Sequence, residues 1–239
     1  MRLMYEEVVP LVGVQRRVIC WANAHLLRIS IEQIGVYLVD QHTSAIQQLA
    51  CYTQDESQLV EALLGPPLLL ALALRDIFCL HASAVQYQER AILFLGESGQ
   101  GKSTLARLLS EYQPQQFRRL ADDIVPVSFT TRLNARLRFP QLKLDRQAQP
   151  GVQFQSEIPI GAICILGSPT PTVSITRNHA AQALLPLIRH TVAARLFPAS
   201  LAKKQMSCLA QSTAPVFQLH YLREITTLPR LAQLLCQMI

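Results

Sequence analysis

The chain has 239 residues, of which half are hydrophobic and 16% are charged, and its formal net charge is +6. This composition predicts a substantial folded core and excludes wholesale disorder. The positive charge favours anionic ligands such as nucleotides, but no run of Lys or Arg exceeds two residues. We therefore expect no dedicated nucleic-acid-binding segment.

The first part of the chain contains short apolar segments rich in β-branched residues. Those at residues 17–21, 26–31 and 34–39 predict strands of a small sheet. From Glu56 the pattern becomes helical, and Pro66 with Pro67 can open a second helix that runs to about Arg75. We assign residues 1–55 to a small N-terminal β-rich region and residues 56–239 to a catalytic domain.

The second part alternates strands and helices. Residues 80–85 and 90–95 predict two strands, a helix follows at 102–112, and a strand at 120–127 is interrupted by an aspartate pair. Residues 130–155 predict loops with short strands. This mixture indicates an α/β fold. The remaining predicted elements are strands at 158–166, 172–176 and 216–222, and helices at 180–196, 200–211 and 228–238.

A glycine-rich loop lies between the strand at 90–95 and the helix at 102–112, and it fits the pattern Gly-x4-Gly-Lys-Ser in full. The glycines let backbone N–H groups turn towards a phosphate, and the helix N-terminus adds a favourable dipole. Lys102 can reach the β- and γ-phosphates, and Ser103 can offer its hydroxyl to Mg²⁺. The loop predicts ATP, or less well GTP, as a ligand. The expected nucleotide-binding residues are Gly96, Glu97, Ser98, Gly99, Gln100, Gly101, Lys102, Ser103 and Thr104.

Three further polar residues occur near the loop in sequence. His81 lies 21 residues before Lys102, and the pair Asp122-Asp123 lies about 20 residues after it. If the two strands that carry them flank the loop strand, these side chains converge on the γ-phosphate. A kinase needs such groups, because one carboxylate holds Mg²⁺ and another accepts the proton of the attacking hydroxyl.

This combination resembles the HPr kinase/phosphorylase family and its shorter relatives. The resemblance implies a P-loop kinase core of the HPr kinase and phosphoenolpyruvate carboxykinase type, with ATP and Mg²⁺ as cofactors. It implies Asp123 as the base that deprotonates an acceptor serine, and His81 and Lys102 as catalytic partners at the phosphates. Ser103 and Asp122 are the metal ligands expected from it.

The segment at residues 80–85, followed by this loop, looks more like the small kinases encoded beside ribosomally made peptides, including lasso peptides. That group phosphorylates a serine of a precursor peptide, commonly at its C-terminus. The E-x-R-G-x-G-I signature of the full-length family does not follow Asp123; Glu157 is the only nearby acid, and it lacks the arginine and the glycines. A serine-containing peptide or protein is thus the expected substrate. Assembly into a homo-oligomer is compatible with the sequence.

Alternatives remain at this point. The acceptor could be an HPr-like protein or a small hydroxylated metabolite, or the chain could be a non-catalytic ATP-binding module that regulates a partner. Two lone cations are candidates for phosphate or substrate contact: Lys143 within an apolar segment, and Arg223 just after the strand at 216–222.

The cellular compartment is suggested by the cysteines and the apolar segments. Six cysteines show no C-x-x-C pair, and most lie in apolar surroundings, which predicts buried free thiols in a reducing compartment. Residues 1–7 include acidic residues and lack the apolar core of a secretory leader. The most apolar stretch, residues 62–74, is short for a bilayer and contains two prolines. We expect a cytoplasmic protein that does not insert into a membrane.

Overall fold

A computed structural model describes residues 1–11, 13–129, 132–137, 156–211 and 214–239. Contacts divide the chain into two compact units. The first unit comprises Met1–Phe78 and Ala193–Ser207, and the second comprises Cys79–Val192 and Cys208–Ile239. The boundary predicted after residue 55 lies inside the first unit.

The first unit contains a five-stranded sheet in the order β1-β2-β3-β4-β5, with every neighbouring pair antiparallel. The three strands predicted in this region are confirmed, and they correspond to β2, β3 and β4. The outer strands β1 and β5 were not predicted, because their residues are mostly exposed and show little apolar alternation. The strands are β1 Arg2–Leu11, β2 Val14–Ala22, β3 Leu26–Ile31, β4 Gly35–Asp40 and β5 Ile46–Cys51.

Two short helices follow this sheet, α1 (Glu56–Leu64) and α2 (Pro66–Leu74), as the sequence predicts. Asp55 caps α1, since its side chain accepts the N–H of Ser57 at 2.9 Å. Gly65 separates the two helices, and Pro66 opens the second. The second helix packs on β4 and β5, which is why the contacts assign both helices to the first unit.

One described segment, Glu56–Leu74, is long and apolar enough to cross a membrane by length and composition, with a mean hydropathy of 1.6. The sequence estimate was shorter because it began at residue 62. The break at Gly65 divides this segment into two helices. Core helices of soluble proteins pass the same test, so the finding is weak evidence for a membrane span.

The second unit is built on an eight-stranded mixed sheet, in the order β10-β9-β6-β7-β11-β13-β12, with β8 paired to β6 and β10 also paired to β11. β7, β11 and β13 are parallel, whereas β6 is antiparallel to β7. The strands are β6 Ile77–Tyr87, β7 Arg90–Leu95, β8 Phe117–Ala121, β9 Ile124–Phe129, β10 Leu133–Arg136, β11 Glu157–Leu166, β12 Ser174–Arg177 and β13 Val216–His220. The mixed α/β class is therefore confirmed.

Two helices cover one face of this sheet, α3 (Lys102–Tyr112) and α6 (Leu228–Gln237). Both are amphipathic, and their apolar residues join those of β7, β11 and β13 in one buried core. Phe94 of β7, Leu109 of α3 and Leu231 of α6 are fully buried members of this core. Because α3 packs against β7, the loop between them is held between two buried elements.

Two predicted elements differ in the structure. The strand predicted at 120–127 is two strands, β8 and β9, because Asp123 adopts the left-handed conformation at φ 73° and turns the chain between them. The helix predicted at 180–196 is α4 (Ala180–Arg189), and it ends early because Thr191 forms a β-bridge with Leu80. The helix predicted at 200–211 is confirmed as α5 (Ala199–Ala210).

All six cysteines are free, as predicted. Cys20, Cys79 and Cys164 are buried, whereas Cys51 is exposed and the other two are half-buried. Burial raises the pKa of the Cys79 and Cys164 thiols to about 12. These two thiols are therefore protonated and unreactive at neutral pH.

Candidate active site

The glycine-rich loop connects the end of β7 to the start of α3. Its last residue, Gly101, is the N-cap of α3 and has φ 86°, a conformation that favours glycine. Gly101 has no side chain, so the N-cap residue itself makes no side-chain hydrogen bond to the start of this helix. A glycine at this position leaves room for a phosphate to approach the first N–H groups of α3, as in phosphate sites at helix N-termini.

Lys102 is the first residue of α3 and is almost fully buried. Its Nζ donates to the carbonyl oxygen of Gly96 at 2.8 Å and to that of Glu97 at 3.0 Å. The side chain of Gln100 accepts the N–H of Glu97 at 2.8 Å. The ammonium group is thus held at the loop backbone, where a bound triphosphate would find a positive charge at a short distance.

His81 is brought to the loop by the pairing of β6 with β7. Ala82 of β6 lies opposite Leu95, the last residue of β7, so His81 lies beside the point where the loop begins. The Nε2 atom of His81 is 3.4 Å from Oδ1 of Asp123, and both side chains are about one-third exposed. His81 and the carboxylate of Asp123 therefore lie together near the start of the loop.

Asp122 is connected to the loop through a residue that the sequence analysis did not single out. The hydroxyl of Ser83 donates to Oδ1 of Asp122 at 2.7 Å and lies 3.4 Å from the hydroxyl of Ser103. Arg119 donates to the other oxygen of Asp122 at 2.6 Å. Asp122 is buried. Through Ser83 it belongs to the same polar network as Ser103.

The sequence analysis assumed that the strands carrying His81 and the aspartate pair both flank the loop strand, and the observed strand order differs from this. β6 is a direct neighbour of the loop strand β7, but β8 pairs with β6 and not with β7. The aspartates still meet the loop, because the pairing of Ala84 with Ala121 places the end of β8 beside Ser83. The structure therefore brings His81, Asp122 and Asp123 close to the loop, with Ser83 of the intervening strand between Asp122 and Ser103.

The other predicted residues are placed as follows. Ser98, Gly99 and Thr104 are exposed in the loop and the first turn of α3. Arg223 lies beside the loop, since a Cβ atom built on Gly101 would be 3.8 Å from Cδ of Arg223. Lys143 lies outside the described residues.

Two further residues of the site were missed from the sequence. The Nη2 atom of Arg189 is 2.8 Å from Oε1 of the loop residue Glu97. His190 is buried, and its carbonyl oxygen accepts the N–H of His81 at 2.7 Å. Burial lowers the pKa of the His190 imidazole, and the carboxylate of Glu97 opposes this effect. Both residues lie about ninety positions after the loop in sequence, so no local pattern could have linked them to it.

Ser83 was detectable in principle. It lies two residues after His81 in β6, and side chains two positions apart point to the same face of a strand. Its neighbours Ala82, Ala84 and Val85 are apolar, and Ser83 itself is fully buried. A serine in that setting needs a hydrogen-bond partner, and the aspartate pair is the partner that the fold supplies.

The oxygen atoms of Ser103 and Asp122 suit Mg²⁺ in chemical type. Among the described residues, no group of three or more His, Cys, Asp or Glu side chains could hold a metal ion. Mg²⁺ commonly takes only one or two protein ligands and completes its coordination with phosphate oxygens and water. A serine hydroxyl and one carboxylate beside a phosphate loop fit that requirement.

Comparisons with known proteins give a limited result. No family model matches the sequence, and no match was found among curated proteins. Among solved structures, the chain is similar to the HPr(Ser) kinase/phosphatase from Coxiella burnetii, with 14% identity over 66% of this chain and 92% of that chain. The TM-score of this match is 0.38, which is too low to support conclusions about the site.

Proposed function

We propose that the chain is a kinase that uses ATP and Mg²⁺ to phosphorylate the hydroxyl group of a serine in a peptide. One observation carries this proposal: the two aspartates near the loop differ in burial. Asp122 is buried and bonded to Ser83 and Arg119, whereas Asp123 is partly exposed beside His81. A buried, fixed carboxylate suits metal binding, and an accessible one suits proton transfer to and from a substrate.

Binding of the nucleotide depends on the loop and on Lys102. The N–H groups at the start of α3 and the Lys102 ammonium would bind the β- and γ-phosphates. Ser103 and Asp122 would hold Mg²⁺, which supplies positive charge that neutralises the phosphate oxygens when it is bound. Arg223 lies beside the loop and can add a guanidinium to the same phosphates.

The transfer half depends on Asp123. Its carboxylate accepts the proton of the serine hydroxyl as the serine oxygen bonds to the γ-phosphorus. The bond between that phosphorus and the bridging oxygen breaks, and ADP leaves with the electron pair. His81, at 3.4 Å from Asp123, orients the carboxylate and can donate to a γ-phosphate oxygen.

The peptide acceptor is supported by the likeness of the segment at residues 80–85, with the loop that follows it, to the small kinases encoded beside ribosomally made peptides. The six free thiols fit a reducing compartment such as the cytoplasm.

The test is transfer of label from γ-³²P-ATP to a synthetic peptide library that contains serine, with the same library carrying alanine as the control. We expect label in the serine library alone. An ATP-binding protein that labels an HPr-like protein or a hydroxylated metabolite, but no peptide, would keep the kinase and replace the substrate. A protein that binds ATP and labels none of these acceptors would contradict the kinase proposal and leave a nucleotide-binding regulator.

A further inference from the structure

The hydroxyl of Ser83 lies between the two groups proposed to hold Mg²⁺. Ser83 is fully buried in β6, and Asp122 is only 6% exposed. The Oγ atom of Ser83 is 2.7 Å from Oδ1 of Asp122 and 3.4 Å from Oγ of Ser103.

The direction of the hydrogen bonds in this chain follows from the chemistry of the groups. Asp122 accepts at both oxygens, from Ser83 at one and from Arg119 at the other. An ionised carboxylate can only accept hydrogen bonds, so Ser83 donates its one hydroxyl proton to Asp122. The lone pairs of Ser83 then remain to accept the proton of Ser103, and the hydrogen bonds run from Ser103 through Ser83 to Asp122.

This direction matters for a cation at Ser103. A hydroxyl that offers a lone pair to a positive ion must turn its proton away from that ion. Ser83 supplies the acceptor for that proton, and it also fixes the carboxylate oxygen of Asp122. Partners that orient metal ligands in this way commonly contribute 10- to 100-fold to metal affinity.

We infer that Ser83 is a positioning residue that orients the Ser103 hydroxyl and the Asp122 carboxylate for Mg²⁺, and so makes nucleotide binding dependent on the metal. This inference rests on the proposed function, because it assumes that the loop binds Mg²⁺ together with ATP.

The test compares Ser83→Ala with a matched control, Ser128→Ala. Ser128 is also a buried serine on a strand of the second unit, and its hydroxyl accepts from Nε of Arg136 of β10 at 2.9 Å. Binding of ATPγS is measured by calorimetry at increasing Mg²⁺ concentrations and again in EDTA. For Ser83→Ala we expect the half-saturating Mg²⁺ concentration to rise about 10- to 100-fold, with affinity in EDTA unchanged. The control should match the wild type in both conditions.

Two outcomes would overturn the inference: an unchanged Mg²⁺ dependence in Ser83→Ala, or an equal loss of affinity with and without Mg²⁺, which indicates a merely structural role. If the alanine variant does not fold, Ser83→Cys replaces it, since a thiol has similar shape but is a weak donor. A cysteine variant with wild-type Mg²⁺ dependence would equally refute the role. A wild-type protein that binds ATPγS without any Mg²⁺ dependence contradicts the metal part of the proposed function itself, and the inference falls with it.

Discussion

Replacing Asp123 by asparagine removes the proposed base while leaving the backbone undisturbed. Asp123 has φ 73°, and asparagine is among the few residues that adopt this left-handed conformation readily. An alanine at this position would add backbone strain and confuse the result. The contact with His81 is partly exposed, so its loss should cost less than about 1 kcal/mol of unfolding free energy.

The expected loss of activity is larger. Removing a general base lowers the rate of transfer by about 10²- to 10⁴-fold, which corresponds to roughly 3 to 5 kcal/mol of barrier height. The Asp123 side chain is 39% exposed, so water can partly replace it as a proton acceptor. We therefore expect a loss near the lower end, about 10²- to 10³-fold, with ATP affinity almost unchanged.

The assay measures single-turnover transfer of label from γ-³²P-ATP to serine peptides, together with ATP binding by calorimetry. Asp76→Asn is the matched control, because Asp76 also has a positive φ, at 61°, and a 42% exposed carboxylate in an ion pair with Lys204. The control should keep wild-type activity. If Asp123→Asn transfers phosphate within about twofold of the wild type, Asp123 is not the base, and the reasoning from the two aspartates is wrong.

Three further predictions concern the loop and its surroundings. Lys102→Met should weaken ATP binding about 10- to 150-fold in calorimetry, since one charge-assisted hydrogen bond contributes about 1.5–3 kcal/mol; unchanged affinity would remove the loop from the binding site. Gly101→Ala should lower the unfolding free energy by about 1–2 kcal/mol in urea denaturation, because a backbone φ of 86° is strained for any residue with a Cβ atom. The added Cβ atom itself meets no clash near Arg223, so equal stability would mean that the loop backbone relaxes. Burial lowers the pKa of His190, so the unfolded state binds a proton at His190 more readily than the folded state does. The free energy of unfolding should therefore fall as the pH drops below about 6.5. His190→Gln should flatten that decline in thermal melts between pH 7 and 5, and an identical decline in the variant would assign it to other groups.

The pH prediction for His190 depends on several neighbouring charges. Glu97 favours its protonated form, whereas Lys102, His81 and Arg189 disfavour it, and burial is the largest effect. Because Glu97 is paired with Arg189, its opposing influence is reduced in the folded state. The depressed pKa is therefore the expected net result.

Much of the fold could be predicted because its elements carry local signals. The helix at 102–112 has a glycine before it and apolar residues at helical spacing, and its predicted ends agree with α3. β3 and β11 are rich in buried apolar residues that mark them as strands. β1 was missed because an exposed strand shows no alternation to detect.

The site was only partly predictable for a different reason. His81, the loop and the aspartates lie close together in sequence, so spacing alone suggested that they meet. Arg189 and His190 reach the loop only through the early end of α4 and the β-bridge of Thr191 with Leu80. Such long-range contacts depend on the tertiary fold, which leaves no local pattern in the sequence. The pairing of β8 with β6 was likewise not visible, because strand order is set by packing.

The most direct test of the central claim is a crystal structure with Mg²⁺ and a non-hydrolysable ATP analogue, in which the distance from the Asp123 carboxylate to the γ-phosphorus is measured. A base must reach the acceptor hydroxyl within about 2.6–3.2 Å, and that hydroxyl must lie about 3–3.5 Å from the phosphorus. The account predicts the triphosphate on the loop, Lys102 bonded to it, and Asp123 about 5–7 Å from the γ-phosphorus. A nucleotide bound elsewhere, or an Asp123 carboxylate more than about 10 Å from the γ-phosphorus, would contradict it.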